Sequence, residues 1–255
     1  TGEVVFNTGM VGYPETLTDP SYKQQILILT YPLIGNYGVP NHAYSEGLQK
    51  HFESDNIHIS ALIVSEYCDD HNHWQARRSL SEWLGEQGIP ALYGIDTRLL
   101  TKKLRHKGTM LGKIIFGNDK LSFRNPDKEN LVAKVSIKQP ITYKRGPIRV
   151  VLVDCGAKNN IIRSLKKRNI TVIRVPWDFD FFKYEFDGLF LSNGPGDPKK
   201  CMKTVSNIKK ALKQKIPIIG ICLGNQLLAL AAGADTYKLK FGHRSQNQPS
   251  LVVGT

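Results

Sequence analysis

The chain has 255 residues and a formal net charge of +13, a length that suits one large or two ordinary domains. No apolar run approaches the roughly 20 residues that a membrane span needs and no signal peptide opens the sequence, so we expect a cytoplasmic protein with no membrane partner. The four cysteines form no CxxC pair, which argues against a disulfide framework and favours a reducing compartment.

The positive charge is concentrated in the second half of the chain. Residues 1–144 contain 16 basic and 15 acidic residues, whereas residues 145–255 contain 19 basic and 7 acidic ones. The lysines there lack the interleaved aromatic residues that stacking on bases requires. We therefore expect no nucleic-acid partner, and interpret the charge as a solvated face or a surface for an acidic protein partner.

The first half of the chain predicts alternating strands and helices. Strands are predicted at Glu3–Thr8, Gln25–Thr30, Ile59–Val64 and Ala91–Ile95, and helices at Trp74–Leu84 and Arg98–Lys107. The second helix is capped by Asp96 or Thr97 and ended by Gly108. We interpret His71 and His73 as a helix-start cluster and expect no metal there, because ligand spacing is missing.

Two domains are predicted, with their boundary near Tyr143 to Pro147. Prolines and Gly146 interrupt the pattern from Leu121 onwards, as is typical of a linker. We expect a mixed α/β domain over residues 1–143 and a second domain over residues 148–255.

The second domain predicts a doubly wound parallel sheet. Strands are predicted at Arg149–Asp154, Thr171–Val175, Gly188–Leu191 and Pro217–Ile221, and helices at Asn159–Arg168, Val205–Lys215 and Gln226–Ala232. Ligands of such sheets bind at the carboxyl ends of the strands. The loops that follow the third and fourth strands should therefore face one crevice.

The fourth strand runs into Gly220-Ile221-Cys222-Leu223-Gly224, which predicts a nucleophile elbow. Glycines on both sides of a cysteine, between a strand and a helix, allow the sharp turn that exposes the side chain. The helix N-terminus favours the thiolate, and the Leu223 N–H can donate to an oxyanion. A lone cysteine is more often a small buried apolar residue, but this context favours the nucleophile.

The third strand runs into Ser192-Asn193-Gly194-Pro195-Gly196-Asp197-Pro198. Its glycines leave backbone N–H groups unshielded, which suits an oxyanion or a carboxylate. Taken alone, the loop is equally consistent with a plain turn.

Together the two loops resemble the signature loops of class I (triad) glutamine amidotransferases. The first half resembles the N-terminal domain of the carbamoyl-phosphate synthetase small subunit, through the segments Gly2–Met10, Gly12–Glu15, Leu17–Tyr22 and Asp96–Arg98. The resemblance covers essentially the whole chain, and Thr30–Gly38 is most similar to the glutaminase region of fused animal-type enzymes of pyrimidine synthesis.

The resemblance implies that Cys222 attacks the side-chain amide of glutamine, giving a thioester and ammonia that passes to a large synthetase subunit or fused synthetase domains. It implies an oxyanion hole formed by the Leu223 N–H with that of Gly194 or Gly196. Ser21, Gly194, Gly196, Leu223 and Gln226 match glutamine-binding positions. It also implies no cofactor or metal in this chain, because ATP and Mg²⁺ would bind the synthetase part.

Two departures from the family pattern bear on activity. Position 225 is Asn where the family usually has His, and we expect a modest effect of this difference on local packing. The family's His-x-Glu pair and an Asn-His-Gly segment would lie beyond residue 255, so the resemblance implies a piece truncated at both ends. Such a piece should be weakly active or inactive. His243 lacks a following carboxylate, and we do not assign it as the base.

Two other functions compete with the glutaminase. One is a catalytically incomplete fragment or pseudo-glutaminase that docks on and regulates a synthetase. The missing His-x-Glu pair favours this function, whereas Cys222 and both glycine loops argue against it. The other is a basic nucleic-acid binder, for which no stacking or groove-reading motif is found.

Overall fold

A computed structural model of the chain describes residues 1–118, 120–242 and 252. The strands are β1 Gly2–Asn7, β2 Gln25–Leu29, β3 Tyr44–Ser45, β4 Leu48–Gln49, β5 Ala61–Val64, β6 Ala91–Leu92, β7 Met110–Gly112, β8 Ile141–Tyr143, β9 Ile148–Asp154, β10 Ile170–Pro176, β11 Gly188–Leu191 and β12 Ile218–Gly220. The helices are α1 Tyr13–Leu17, α2 Leu80–Glu86, α3 Thr97–Lys107, α4 Val132–Val135, α5 Asn159–Lys167, α6 Met202–Lys213 and α7 Leu223–Ala231. All described helices are too short or too polar to serve as a bilayer span.

The first half of the chain forms a five-stranded sheet in the order β6-β5-β2-β1-β7. Strands β1, β2, β5 and β6 are parallel, and β7 lies antiparallel to β1 at one edge. Both central strands, β2 and β5, are buried along their whole length. Their side chains alternate between a core that contains Trp83 of α2 and one that contains Leu104 of α3. The two helices therefore cover opposite faces of the sheet.

The second half forms a sheet in the order β12-β11-β9-β10-β8, with β8 antiparallel at one edge and the other four strands parallel. Ile162 of α5 packs on one face, and Ile208 of α6 and Leu227 of α7 pack on the other. The mixed α/β class and the doubly wound second domain are thus confirmed. The strand order reverses between β9 and β11, and ligands of such sheets bind at the carboxyl ends of the strands at this point.

A buried carboxylate shapes the turn after β9. Asp154 is fully buried, and its Oδ1 accepts hydrogen bonds from the N–H groups of Gly156 and Ala157 at 2.9 and 2.7 Å. Its Oδ2 pairs with Arg174 Nη2 at 2.8 Å and accepts from the Ile137 N–H at 2.9 Å. A buried charge is tolerated when it is paired and hydrogen-bonded in this way. The turn leads directly to Lys158.

The predicted helix Trp74–Leu84 is wrong at its start. The helix α2 begins at Leu80, because Ser79 and Glu82 form a capping box in which each side chain binds the other residue's backbone N–H. Trp74 is 78% exposed, and His71 and His73 do not start a helix.

The ends of two helices in the second domain also differ from the prediction. Helix α7 begins at Leu223, three residues before the predicted start, so Cys222 is itself the N-cap. Helix α6 spans Met202–Lys213 instead of Val205–Lys215, and Lys215 has a φ of 56°, which is not helical.

Candidate active site

The backbone at Cys222 has the geometry of a nucleophile elbow. Cys222 has φ 51° and ψ −110°, a combination that residues other than glycine rarely adopt. Strain of this kind persists where the surrounding structure fixes it, and in elbows it exposes the reactive side chain. The side chain of Cys222 is exposed. The bend therefore presents a thiol at the N-terminus of α7.

Close backbone packing requires both glycines that flank Cys222. A Cβ on Gly220 would lie 2.6 Å from the backbone nitrogen of Asn225. A Cβ on Gly224 would lie 2.2 Å from the carbonyl oxygen of Leu191. Cβ atoms essentially never approach other atoms within 3.0 Å, so a larger residue at either position would move the backbone.

The Gly-Pro-Gly loop lies beside the elbow, as the strand order predicts. The Ile221 N–H donates to the Leu191 carbonyl at 3.0 Å, which joins the elbow to the end of β11. A Cβ on Gly194 would lie 2.0 Å from the Cys155 carbonyl oxygen and 2.9 Å from the Leu223 side chain. Gly194 therefore packs between the turn after β9 and the first residue of α7.

The three predicted oxyanion donors are the N–H groups of Gly194, Gly196 and Leu223. Within the described part of the chain, the N–H groups of Gly194, Gly196 and Leu223 donate to no other protein group. The Leu223 side chain is buried, and its N–H is one of the donors that the start of a helix leaves unsatisfied. These donors can bind an anionic oxygen, assisted by the positive end of the helix dipole.

Ser21 of the first half lies against the Gly-Pro-Gly loop. Its Oγ accepts a hydrogen bond from Asn193 Nδ2 at 2.9 Å, and Asn193 is 3% exposed. The Lys158 N–H donates to Asn193 Oδ1 at 3.2 Å, which fixes the orientation of the Asn193 amide. Since Ser21 accepts from Asn193, its own O–H remains available to donate to a carboxylate.

Asp19 connects these residues into one polar cluster. Its Oδ1 accepts from the Ser21 N–H at 2.9 Å and from Asn193 Nδ2 at 3.3 Å, and its Oδ2 pairs with Lys158 Nζ at 2.7 Å. Sequence reasoning missed Asp19, Lys158 and Asn193 as site residues. The only available signal was the Asp-Pro-Ser sequence, which is typical of a side chain capping its own turn.

Lys158 is a cation close to the nucleophile. Burial lowers the pKa of Lys158, but Asp19, Glu53 and Cys222 together outweigh this effect, so the pKa is raised overall. A thiolate at Cys222 also raises the pKa of Lys158. Lys158 therefore connects the Asp19 cluster with the elbow.

Gln226 and Asn225 occupy the first turn of α7, and both are exposed. The Gln226 N–H donates to the Cys222 carbonyl at 3.2 Å.

No histidine is assigned as the catalytic base. Six of the seven histidines lie between residues 42 and 106, and His243 lies outside the described residues. Among the described residues, no group of three or more His, Cys, Asp or Glu side chains is placed to hold a metal ion.

The doubly wound sheet, the elbow and the glycine loop define an α/β protein with a cysteine at a strand-to-helix turn. Residues 1–114 match the family model described as "Carbamoyl-phosphate synthase small chain, CPSase domain", and residues 151–254 match that described as "Glutamine amidotransferase class-I". The chain belongs to the carbamoyl-phosphate synthase small-chain family and carries a class-I glutamine amidotransferase domain.

Curated relatives align with the whole chain. "Multifunctional protein CAD" of Squalus acanthias is 56% identical over 261 residues, which is 100% of this chain and 12% of the relative. "Carbamoyl-phosphate synthase [ammonia], mitochondrial" of Homo sapiens is 51% identical, over 99% of this chain and 17% of the relative. "Multifunctional protein pyr-3" of Neurospora crassa is 49% identical, over 99% and 16%. The chain thus spans less than a fifth of the length of these relatives.

Proposed function

We propose that this chain is the glutamine-hydrolysing part of a carbamoyl-phosphate synthase and that it releases ammonia from glutamine. The single observation that carries the proposal is the strained backbone of Cys222, φ 51° and ψ −110°, at the start of α7. An exposed cysteine in this conformation, next to a glycine loop with available N–H donors, suits acyl transfer. The matches to both family models support the same reaction class.

In the proposed reaction, the Cys222 thiolate attacks the Cδ carbon of glutamine. The oxyanion that forms is held by the N–H of Leu223 and by that of Gly194 or Gly196. Collapse of this intermediate breaks the C–N bond, releases ammonia once its nitrogen has gained a proton, and leaves a γ-glutamyl thioester. Water then hydrolyses the thioester to glutamate and restores Cys222. The histidine that would transfer these protons is not assigned to any residue of this chain.

Binding of glutamine is proposed to involve both halves of the chain. Ser21 donates its O–H to the α-carboxylate, because Asn193 occupies one of its acceptor positions. Gln226 contributes from the first turn of α7. Gly194, Gly196 and Leu223 contribute backbone groups.

The proposed partner is a synthetase part, fused or separate, that uses the ammonia. Two of the aligned relatives are named multifunctional proteins, which supports fusion to further domains. ATP and Mg²⁺ are assigned to that part and no cofactor to this chain. The carbamoyl phosphate made there would serve pyrimidine or arginine synthesis, in the cytoplasm.

A second candidate is a docking or regulatory role without turnover. It is favoured by the absence of any histidine among the described residues of the second domain, 148–242 and 252. Removal of one member of a catalytic triad lowers the rate by on the order of 10⁴ or more.

Glutamine hydrolysis by the full-length protein tests the proposal against this alternative. Cys222→Ala should lower kcat by about 10⁴-fold or more, because no nucleophile remains. Cys68→Ala, at a partly exposed cysteine in the first half, is the matched control and should keep the wild-type rate. A wild-type protein that releases no glutamate would favour the docking role.

A further inference from the structure

The site described above is divided between the two halves of the chain. Ser21 belongs to the first half and its partner Asn193 to the second, and the two side chains meet at 2.9 Å. A shift of one half against the other would separate Ser21 from the glycine loop. The contacts that fix the two halves therefore bear on the site.

One segment of the first half, Gln49–Ser54, connects the Ser21 loop to α5; we name it the bridging segment. Its Phe52 is fully buried and stacks on Trp83 of α2 with ring centroids 5.1 Å apart. The segment is thus anchored in the first core. The Glu53 N–H donates to Thr18 Oγ1 at 3.0 Å, and Ser54 Oγ donates to the Thr18 carbonyl at 2.6 Å. Thr18 immediately precedes Asp19.

The same segment reaches across to the start of α5. The Glu53 carbonyl accepts from the Asn159 N–H at 2.9 Å, and Glu53 Oε2 accepts from the Asn160 N–H at 2.9 Å. Glu53 Oε1 pairs with Arg163 Nη2 at 3.1 Å. Arg163 also donates to the carbonyl of Gln49. Glu53 is 8% exposed, so these contacts are shielded from solvent.

Helix α5 has no side-chain cap of its own. Its N-cap residue is Lys158, whose side chain makes no capping hydrogen bond. Lysine has no acceptor, so it cannot satisfy the first N–H groups of a helix. The Glu53 carboxylate, from the other half of the chain, supplies that cap and a negative charge at the positive end of the helix dipole.

We propose that Glu53, with Arg163, is a positioning residue that holds the two halves of the glutamine site in register, an inference that rests on the function proposed above. The Glu53 backbone N–H binds Thr18 on one side, and the Glu53 carboxylate binds the start of α5 on the other. These two elements carry Asp19 and Lys158, whose ion pair stands next to Ser21. Loss of the Glu53 carboxylate would therefore loosen glutamine binding without removing a reacting group.

Steady-state glutamine hydrolysis by the full-length protein tests this role. Glu53→Ala should raise the KM for glutamine about tenfold and change kcat less than about twofold, because substrate placement and not chemistry is affected. Glu53→Gln keeps an oxygen that accepts from the Asn160 N–H but loses the charge facing Arg163, so its KM should rise by only about threefold. This graded rescue separates positioning from general loss of structure.

Glu46→Ala is the matched control, since it also removes ion pairs between the halves. Glu46 pairs with Lys166 of α5 and, at 3.7 Å, with Arg145, but its side chain is 56% exposed and none of its ion-pair partners belongs to the site. Its KM should match the wild type. Amide exchange at Asn160 should accelerate in Glu53→Ala and stay unchanged in Glu46→Ala, because the Glu53 carboxylate and not that of Glu46 accepts from that N–H.

If the wild type is active, two results overturn the positioning role alone. One is an unchanged KM in Glu53→Ala, and the other is an equal rise in KM in Glu46→Ala. A fall in kcat as large as the rise in KM also overturns it. A wild-type protein that does not hydrolyse glutamine overturns the proposed function and the positioning role together. A rise in KM confined to the Glu53 variants supports both.

Discussion

Gly224 packs its α-carbon directly on the end of β11, and this contact holds the elbow in place. A Cβ at this position would lie 2.2 Å from the Leu191 carbonyl oxygen. We expect Gly224→Ala to lower the free energy of unfolding by about 2 to 4 kcal/mol, because the backbone must move to relieve the overlap. Urea unfolding followed by circular dichroism measures this change.

Gly85→Ala is the matched control for Gly224→Ala. Gly85 lies within α2, and a Cβ there has no neighbour within 4 Å. Alanine should raise the free energy of unfolding by about 0.5 to 1 kcal/mol, because glycine loses more backbone entropy in a helix. Equal effects of the two substitutions would contradict the close packing assigned to Gly224.

A half-buried histidine, His58, should make stability depend on pH. Burial lowers the pKa of His58 to about 4, with Lys23 adding to the effect, and its Nδ1 has no hydrogen-bond partner among the described residues. An unfolded histidine has a pKa of about 6.5, so between pH 6.5 and 4 the unfolded state binds more protons. The contribution of His58 to the free energy of unfolding is fully present above pH 6.5. It falls by about 3 kcal/mol as the pH decreases to 4.

The difference between the wild type and His58→Gln isolates this effect from titrating carboxylates. Free energies of unfolding in urea at pH 7.5 and pH 4.5 should show a smaller loss in His58→Gln. Parallel losses in the two proteins would show that His58 titrates in the folded state as it does in the unfolded chain.

At the scale of elements, the start of α2 depends on one cap. The Ser79 side chain accepts from the Glu82 N–H at 3.2 Å, and Glu82 Oε2 accepts from the Ser79 N–H at 2.7 Å. We expect Ser79→Ala to lower the free energy of unfolding by about 1 kcal/mol, because it breaks the capping box that satisfies the backbone N–H groups of residues 79 and 82. Ser206→Ala, on the exposed face of α6, should change it by less than about 0.5 kcal/mol. No loss in Ser79→Ala would mean that the helix begins earlier.

Element identities were largely predictable from the sequence, and their ends were not. Apolar runs such as Gln25–Leu29 and Gly188–Leu191 have the length and composition of buried strands, and both are strands. The start of α2 was wrong because Trp74 fits the helical spacing although it is exposed, whereas the capping box decides where the helix begins. Spacing reports which residues are apolar, but not which of them the fold buries.

At the scale of the whole molecule, the part of the site that lies within one strand-to-helix unit was predictable. The glycines around Cys222 and in the Gly-Pro-Gly loop predict sharp turns, and the alternation of strands and helices predicts that both turns share one edge. The cluster of Asp19, Lys158 and Asn193 was not predictable from local patterns. Asn193 and Ser21 are 172 residues apart, and only tertiary packing brings them together. The domain boundary near residue 143 and the role of His243 stay predictions.

The most direct test of the glutaminase account is the intact mass of this chain after incubation with a diazo-ketone analogue of glutamine. We expect one adduct on the wild type, none on Cys222→Ala, and protection by excess glutamine, since the analogue must occupy the pocket beside an activated thiol. The buried Cys155 and Cys201 should not react, because burial raises the pKa of both thiols. Labelling that glutamine does not block, or that persists in Cys222→Ala, would contradict a glutamine site at the elbow.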